Sequence, residues 1–405
     1  MELDKEKQPR ILDLNAKEPA ATGPKNLRPA VRDLLAKYPA IRLLSSDDNR
    51  QVLEFFEKSS MSGESLKLRY ERSPDFFKFL RYRAPVNLVF GGTNRAGALT
   101  GVAAYSFSRA YINEREETVC YLGDLRAELN RDTASSWRDL YGEMLLKARQ
   151  LPGLNGCRYF FTAIIDDNQA ARRTLVAKPR NPFVYHELCK YKMVNVVRRK
   201  PWSRVTPSRT RRAGPRDFDR LSEFLDRESR RRQFGPGFIS ELPRRLAEWH
   251  GLNLSSFLIH ENASGEIDAC VAPWSPAPAK RIIVEEMPPS IRAFRAAMGL
   301  FGRRVPGPGE ELEISYLTHF QISRDLDAQA RGAIFEELVA SAYQERPGIL
   351  GYCDFENDSF LDRLSSYFVQ SVPMTLYQVI HASEAPELGL TASPGFAPGF
   401  EMALV

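Results

Sequence analysis

With 405 residues the chain is long for one hydrophobic core, so two domains are expected; an apolar fraction of 43 % supports globular folding. The net charge of +6 permits an anionic partner without demanding nucleic acid. The cysteines (Cys120, Cys157, Cys189, Cys270, Cys353) form no CxxC pair and the histidines (His186, His250, His260, His319, His381) are scattered, which argues against a disulfide framework and leaves no visible metal cluster.

No apolar run approaches a membrane span, and MELDKEKQPR at the start lacks the apolar core of a signal peptide. A soluble, reducing, cytoplasmic setting is the expectation. Residues 1–40 read as an arm with a short helix near Arg28 to Lys37. Ile41 to Leu44 is a short strand, and Ser45 to Asp48 caps a helix carrying Val52, Leu53, Phe55 and Phe56. Phe76 to Leu80 is a short amphipathic helix ringed by Arg69, Arg72, Arg81 and Arg83, a solvated face or an anion-contacting rim. Asn87 to Phe90, Leu99 to Phe107 and Thr118 to Arg126 are strands linked by turns and therefore antiparallel. A helix ends near Gln150. Tyr159 to Ile165 is a buried strand, Asp166 to Asn168 caps a helix through Leu175, and Phe183 to Val197 closes the unit.

Arg198 to Arg245 is the most basic part, with prolines marking a linker near 198–213. A helix with Phe218, Leu221, Phe224 and Leu225 inward answers the one after Asp48. Ser256 to His260 and Ile267 to Pro273 form a hairpin, Arg281 to Met287 a strand, and Ser290 to Phe301 a helix. Gly348 to Phe355 answers Tyr159 to Ile165, Asn357-Asp358 caps a helix to about Tyr367, and Met374 to Ile380 closes the sheet. Residues 382–405 read as a tail or latch.

These correspondences form one long repeat. Thr118 to Gln150 returns as Leu312 to Gln344: Tyr121-Leu122 answers Tyr316-Leu317, Arg138 answers Arg331, and Leu145 answers Leu338. Asp124 and His319 then hold equivalent strand positions, and strand alternation puts them on the face opposite Tyr121 and Tyr316.

YLGDLRAELNRD and YLTHFQISRD resemble the fourth strand, and IIDDNQAARRTL and CDFENDSFLDRL the fifth strand and following helix, of the GNAT superfamily of acyl-CoA-dependent N-acyltransferases. The resemblance spans residues 41 to 381. It implies an α/β fold of two tandem GNAT-like domains, 41–197 and 214–381, each a mixed, mostly antiparallel sheet flanked by helices. It also implies that acetyl-CoA or a longer acyl-CoA pairs with the splayed edge of the fourth strand and sets its pyrophosphate at the next helix start. The positions implied for the cofactor are Leu125, Arg126, Arg131, Ala134, Ser136 and Asn168 in the first half, and Gln329, Gly332 and Asn357 in the second. Against the family pattern Q/R-x-x-G-x-G/A, the first half offers Arg131, Ala134 and Ser136 with no glycine. The second offers Gln329 and Gly332, but Ile334 fills the last small position. Leu175 and Leu364 stand where the family often has a tyrosine, with Tyr367 one turn later.

Two functions follow. In the first, one half transfers an acyl group to a small-molecule or peptide amine, with Asp124 or His319 as the base and no covalent intermediate. In the second, an inactive tandem protein senses an anion such as a nucleotide or cyclic dinucleotide through Arg209, Arg211, Arg212, Arg230, Arg231 and Arg232. Nucleic-acid binding would need aromatic platforms, and only Trp202 and Phe234 lie near the basic run.

Overall fold

The structure, a computed structural model, describes residues 26–58, 67–128, 131–177, 181–203, 209–277, 279–289, 292, 295, 306–391 and 397–405, with main chain only at 131–133. Most of the N-terminal arm and of the expected helix at 290–301 lies outside the described residues, as does the side chain of Arg131.

Helix α1 (Leu27–Leu35) puts Leu27, Val31 and Leu35 on one face and buries them. The first half then runs β1 (Ile41–Leu43), α2 (Asn49–Lys58), β2 (Lys67–Glu71), α3 (Phe76–Arg83), β3 (Val86–Thr93), β4 (Leu99–Ile112), β5 (Arg115–Ala127), α4 (Arg131–Lys147), β6 (Tyr159–Ile165) and β7 (Phe183–Arg199). The second half repeats the order with β8 (Arg211–Arg212), α5 (Phe218–Arg230), β9 (Gly235–Pro236), α6 (Phe238–Glu248), β10 (Leu258–Glu261), β11 (Ile267–Trp274), β12 (Arg281–Glu286), β13 (Ile314–Ile322), α7 (Ala328–Glu345), β14 (Ile349–Phe355) and β15 (Tyr367–His381). The helix expected after Asn168 is one helical turn followed by a π-helical stretch at Arg172–Val176. The one expected after Asn357 is only a 3₁₀ turn, Leu361–Leu364.

The strands form one continuous sheet in the order β1-β3-β4-β5-β6-β15-β7-β14-β13-β11-β10-β8, with β9 attached to β4. Parallel contacts join β5 to β6 and β13 to β14, and the other pairs are antiparallel. The order departs from two separately closed units. Strand β7 lies between β15 and β14, while β15 lies between β6 and β7. Each half's last strand therefore completes the other half's sheet. A separate ribbon joins β2 to β12, holding the halves together through the pairs Lys67–Glu286, Arg69–Glu285 and Glu71–Arg281.

The two halves diverge at the same place. β5 and β6 pair over Val119–Tyr121 against Tyr159–Phe161, and β13 and β14 over Ile314–Tyr316 against Ile349–Gly351. Beyond Tyr121 and Tyr316 these parallel partners separate into two wedges. The paired tyrosines that marked the repeat thus mark equivalent branch points. Apolar layers cover both faces: α1 and α4 pack over the first half, α2 and α3 over its opposite side, and α7 and α5–α6 over the second. A central layer of Tyr121, Phe161, Tyr191, Phe234, Phe355 and Leu376 is closed by Leu390, Ala397 and Phe400 of the C-terminal segment.

Candidate active site

Just past each branch point the outgoing strand carries an extra residue. The β4–β5 register shifts between Val102 and Ala104, where Asp124 and Leu125 face Ala103; the β11–β13 register shifts between Cys270 and Ala272, where His319 and Phe320 face Val271. Asp124 and His319 have φ of 55° and 51°, the left-handed region. Such bulges re-aim side chains. Here the effect overturns the expected alternation. Arg83 lies 5.1 Å from the Tyr121 ring and also donates to Asp124, so the two residues share one neighbour and not opposite faces. Gly123 permits this: a Cβ there would meet the Arg83 guanidinium at 2.9 Å and the Tyr121 ring at 2.8 Å.

Asp124 sits in a buried ionic cluster. Arg72 Nη2 donates to its Oδ1 at 2.6 Å and Arg83 Nη1 to its Oδ2 at 2.9 Å, with all three side chains no more than 8 % exposed. Burial alone would raise the carboxyl's pKa, but the two guanidinium groups and nearby Lys280 hold it well below the usual carboxylate range. Arg72 is itself lowered to about 10 by burial, and burial, then Arg72 and Arg83, pushes Lys280 well below its ordinary value. Lys280 Nζ donates to the Val405 carbonyl. A carboxylate held this firmly ionised is a weak proton acceptor and a strong fixed charge. The arginines expected on a helix rim divide accordingly: Arg72 and Arg83 are buried, whereas Arg81 pairs with Asp75 at the surface.

His319 is also enclosed. The rings of Phe238, Trp249 and Phe257 lie 5.0–5.5 Å from it, Nε2 faces Arg245 Nη1 at 3.2 Å, and Nδ1 faces the Thr318 hydroxyl at 3.0 Å. Burial, then Arg245, pushes its pKa well below the usual imidazole value, leaving it neutral and enclosed. Arg245 occupies the eighth position of α6, as Arg83 does in α3, so both halves aim an arginine at the bulge.

The wedges differ in what fills them. In the second, Glu401 Oε1 accepts the His319 backbone N–H at 2.9 Å, Glu401 Oε2 takes Arg245 at 2.6 Å, and Met402 and Ala403 are buried against β13 and β14. The start of α7 is covered as well. Asp327 caps it, Arg331 and Arg324 converge on Asp358, and a Cβ on Gly332 would strike the Arg363 guanidinium at 2.6 Å. Gln329 is exposed at that helix start. Asn357 accepts from the Cys189 thiol at 3.6 Å across the sheet and caps no helix.

In the first wedge, β5 beyond Tyr121 has β4 on one side and, among the described residues, no strand on the other. The Thr162 hydroxyl crosses the gap to the Leu122 carbonyl at 2.7 Å. Leu125 is 44 % exposed, its side chain turned to solvent. Arg126 is held away from the edge, stacked 4.2 Å over Phe56 and donating to the Phe56 carbonyl. Ala134 is exposed in the first turn of α4, with Ser136 half-buried behind it. Trp137 locks that turn against the sheet over Gly92 and Gly101, where a Cβ would meet the indole at 2.8–2.9 Å. Asn168 caps its short turn by accepting from the Ala171 N–H at 3.0 Å. Leu125, Ala134 and Asn168 are thus all exposed, on the wedge's strand edge and on the two helical starts that follow its strands. Sequence reasoning singled out Arg72 and Arg83 as a rim but not as partners of Asp124, and missed Lys280, Trp137 and Glu401; the matching helix positions of Arg83 and Arg245 were the available signal for the arginines.

The basic segment is largely neutralised within the chain. Arg211 pairs with Asp217 and Glu261, Arg212 with Glu345, Arg230 with Asp226, and Arg231 with Asp325; Arg209 donates its backbone N–H to Glu337. Arg232 lines a cleft beside β13 and β14. Among the described residues no helix is long and apolar enough to cross a membrane, and no group of three or more acidic, histidine or cysteine side chains is placed to hold a metal.

No family model matches this chain, and no curated protein matches it at a significant level. Solved structures do match in fold. Saccharomyces cerevisiae N-myristoyltransferase with bound myristoyl-CoA superposes with a TM-score of 0.54 at 9 % identity, over 85 % of this chain and 83 % of that one. A second structure of that enzyme with myristoyl-CoA gives 0.54 at 12 % identity, over 89 % and 82 %. The GCN5-related glucosamine N-acetyltransferase region of a fungal multi-domain β-N-acetylglucosaminidase gives 0.55 at 12 % identity, over 84 % of this chain and 38 % of that one. At these identities the likeness is one of fold, and it meets the doubled wedge-and-bulge geometry found here: the chain has a GNAT-like fold, built twice in tandem.

Proposed function

We propose that the protein is a GNAT-type N-acyltransferase that moves an acyl group from acetyl-CoA or a longer acyl-CoA to a small-molecule or peptide amine, with the first half holding the donor. The observation that carries this reading is the asymmetry of the wedges. The second has its bulge N–H taken by Glu401 and its helix start covered by Arg363, while among the described residues the β5 edge beyond Tyr121 is met only by the Thr162 hydroxyl at the Leu122 carbonyl. An extended pantetheine can add to such an edge as another strand would, and the exposed Ala134 leaves room beside the α4 start for a pyrophosphate. Leu125, Arg131, Ala134, Ser136 and Asn168 form the donor side in this reading, whereas Arg126, turned onto Phe56, stands off it. The amine attacks the thioester carbonyl, a C–N bond forms, the C–S bond breaks, and CoA leaves as the thiol with a proton from the amine. The cysteine thiols are all pushed up by burial, Cys189 to about 11 and Cys157 to about 12, which suits direct transfer without an acyl-cysteine. Free thiols also fit a cytoplasmic setting. Asp124 contributes a fixed charge that holds Arg72 and Arg83 beside the bulge, and His319 holds the equivalent place in the closed half.

The alternative, an inactive tandem protein sensing a nucleotide or cyclic dinucleotide, has less behind it because most of its arginines already have carboxylate partners. Thermal shift and calorimetry with acetyl-CoA, myristoyl-CoA and a cyclic dinucleotide separate the two. Stabilisation by an acyl-CoA, lost in Ala134→Trp and kept in Gln329→Trp, is expected. No response to either CoA species would remove the enzyme reading.

A further inference from the structure

The tail fills the inner part of the second wedge and leaves an outer cleft. Arg232, Gln321, Phe355, Asp358, Phe360 and Phe400 are among the residues lining it. Its polar side chains are incompletely matched. Gln321 is 5 % exposed, and its buried amide oxygen has no hydrogen-bond partner; nor does the buried Nε of Arg232. The amide can be turned so that its NH₂ group faces the cleft.

Charge in this corner is uneven. Arg324 and Arg331 both bind Asp358, and buried Glu228 pairs with Arg227 and accepts the Arg324 backbone N–H at 3.2 Å. Among the described residues, Arg232 alone of these guanidinium groups makes no direct ion pair. It is lowered to about 10 by burial and by Arg324 nearby, with Asp358 and Glu228 pulling the other way. Asp358 and Glu228 act on Arg232 from a distance, but its buried Nε bonds to neither, and a bidentate oxyanion is the group its fork matches. The phenylalanines beside it supply an apolar wall.

We propose that this outer cleft is a binding site for a small amphipathic oxyanion, a carboxylate or phosphate on an aromatic or short aliphatic body, with the oxyanion on Arg232 and Gln321 and the body against Phe355, Phe360 and Phe400. The site lies in the second half, with Phe400 reaching the Tyr121 ring at 6.1 Å, and its occupation does not depend on acyl transfer.

Calorimetry and thermal shift on the full chain, without CoA, test it with benzoate, phenyl phosphate, inorganic phosphate and the neutral benzamide. Benzoate or phenyl phosphate is expected to bind and stabilise, inorganic phosphate to bind more weakly, and benzamide not at all. Arg232→Gln should weaken the bound anion by about tenfold or more, the usual scale for one charge-assisted contact. Arg231→Gln, at a surface pair, should leave binding unchanged. Gln321→Leu gives a second reading should Arg232→Gln fold poorly, with a smaller loss expected. No binding of either aromatic anion, equal binding of benzamide, or undiminished binding in both Arg232→Gln and Gln321→Leu overturns the site.

Discussion

Replacing Asp124 by asparagine preserves shape and removes one charge, so its effect reads the buried cluster directly. In the native fold that carboxylate lies 2.6 Å from Arg72 and 2.9 Å from Arg83, and the ionised side chains are almost fully excluded from water. The variant leaves both guanidinium groups and Lys280 buried without the carboxylate that balances them. Removing one partner of a buried pair typically costs about 3–5 kcal/mol, because the remaining charge stays desolvated. Equilibrium denaturation in urea should show a loss of that size at pH 7, with an unchanged slope. The pH dependence supplies the control. The folded pKa of Asp124 is depressed, so its stabilisation is present above the unfolded value, about 3.9, and is lost as pH falls toward the folded value. The wild type should therefore lose its advantage over Asp124→Asn progressively below about pH 4. A cost under about 1 kcal/mol, or a difference that does not shrink in acid, would refute the reasoning. Turnover adds a third measurement. If Asp124 acts as a fixed charge, activity of the still-folded fraction should fall without displacement of the basic limb of the pH profile, whereas loss of a general base would abolish that limb.

A second pH effect should run the other way. Asp268 raises the pKa of His260 across the β10–β11 hairpin at 2.5 Å, so that stabilisation is present below the unfolded histidine value, about 6.5, and is lost as pH rises through the folded value. The stability difference between wild type and Asp268→Asn should shrink as pH rises from 5.5 to 9, read from denaturation midpoints; a constant difference would show that the pair does not titrate with folding. The exchanged strands predict mutual dependence of the halves. Expressed separately, a fragment ending after β7 lacks β15 beside β6 and one starting at β8 lacks β7 beside β14, so neither should unfold cooperatively. A monomeric first half with a sharp transition would show that the exchange is dispensable.

How much of this was legible in the chain depends on distance along it. The repeat was readable because Tyr121-Leu122 and Tyr316-Leu317 begin equivalent local units, and the two branch points fall on those tyrosines. The β10–β11 hairpin was readable for the same reason. Strand β2 was not: Leu68 and Tyr70 alternate with charged residues over only five positions, and its partner β12 lies about two hundred residues away. Alternation also misplaced Asp124, since it assumes an unbroken pleat and the left-handed residue breaks it.

By itself the sequence determined the α/β pattern, the doubling and the fourth-strand and fifth-strand segments, because periodicity and turn chemistry act between near neighbours. Only the tertiary structure decided that β7 and β15 trade places, that Asp124 is ionised by Arg72 and Arg83, and that one wedge is filled by Glu401 and Met402 while the other keeps an open strand edge. These are settled by which surfaces can be buried together and which charges remain to be matched, and both depend on contacts between residues tens to hundreds of positions apart.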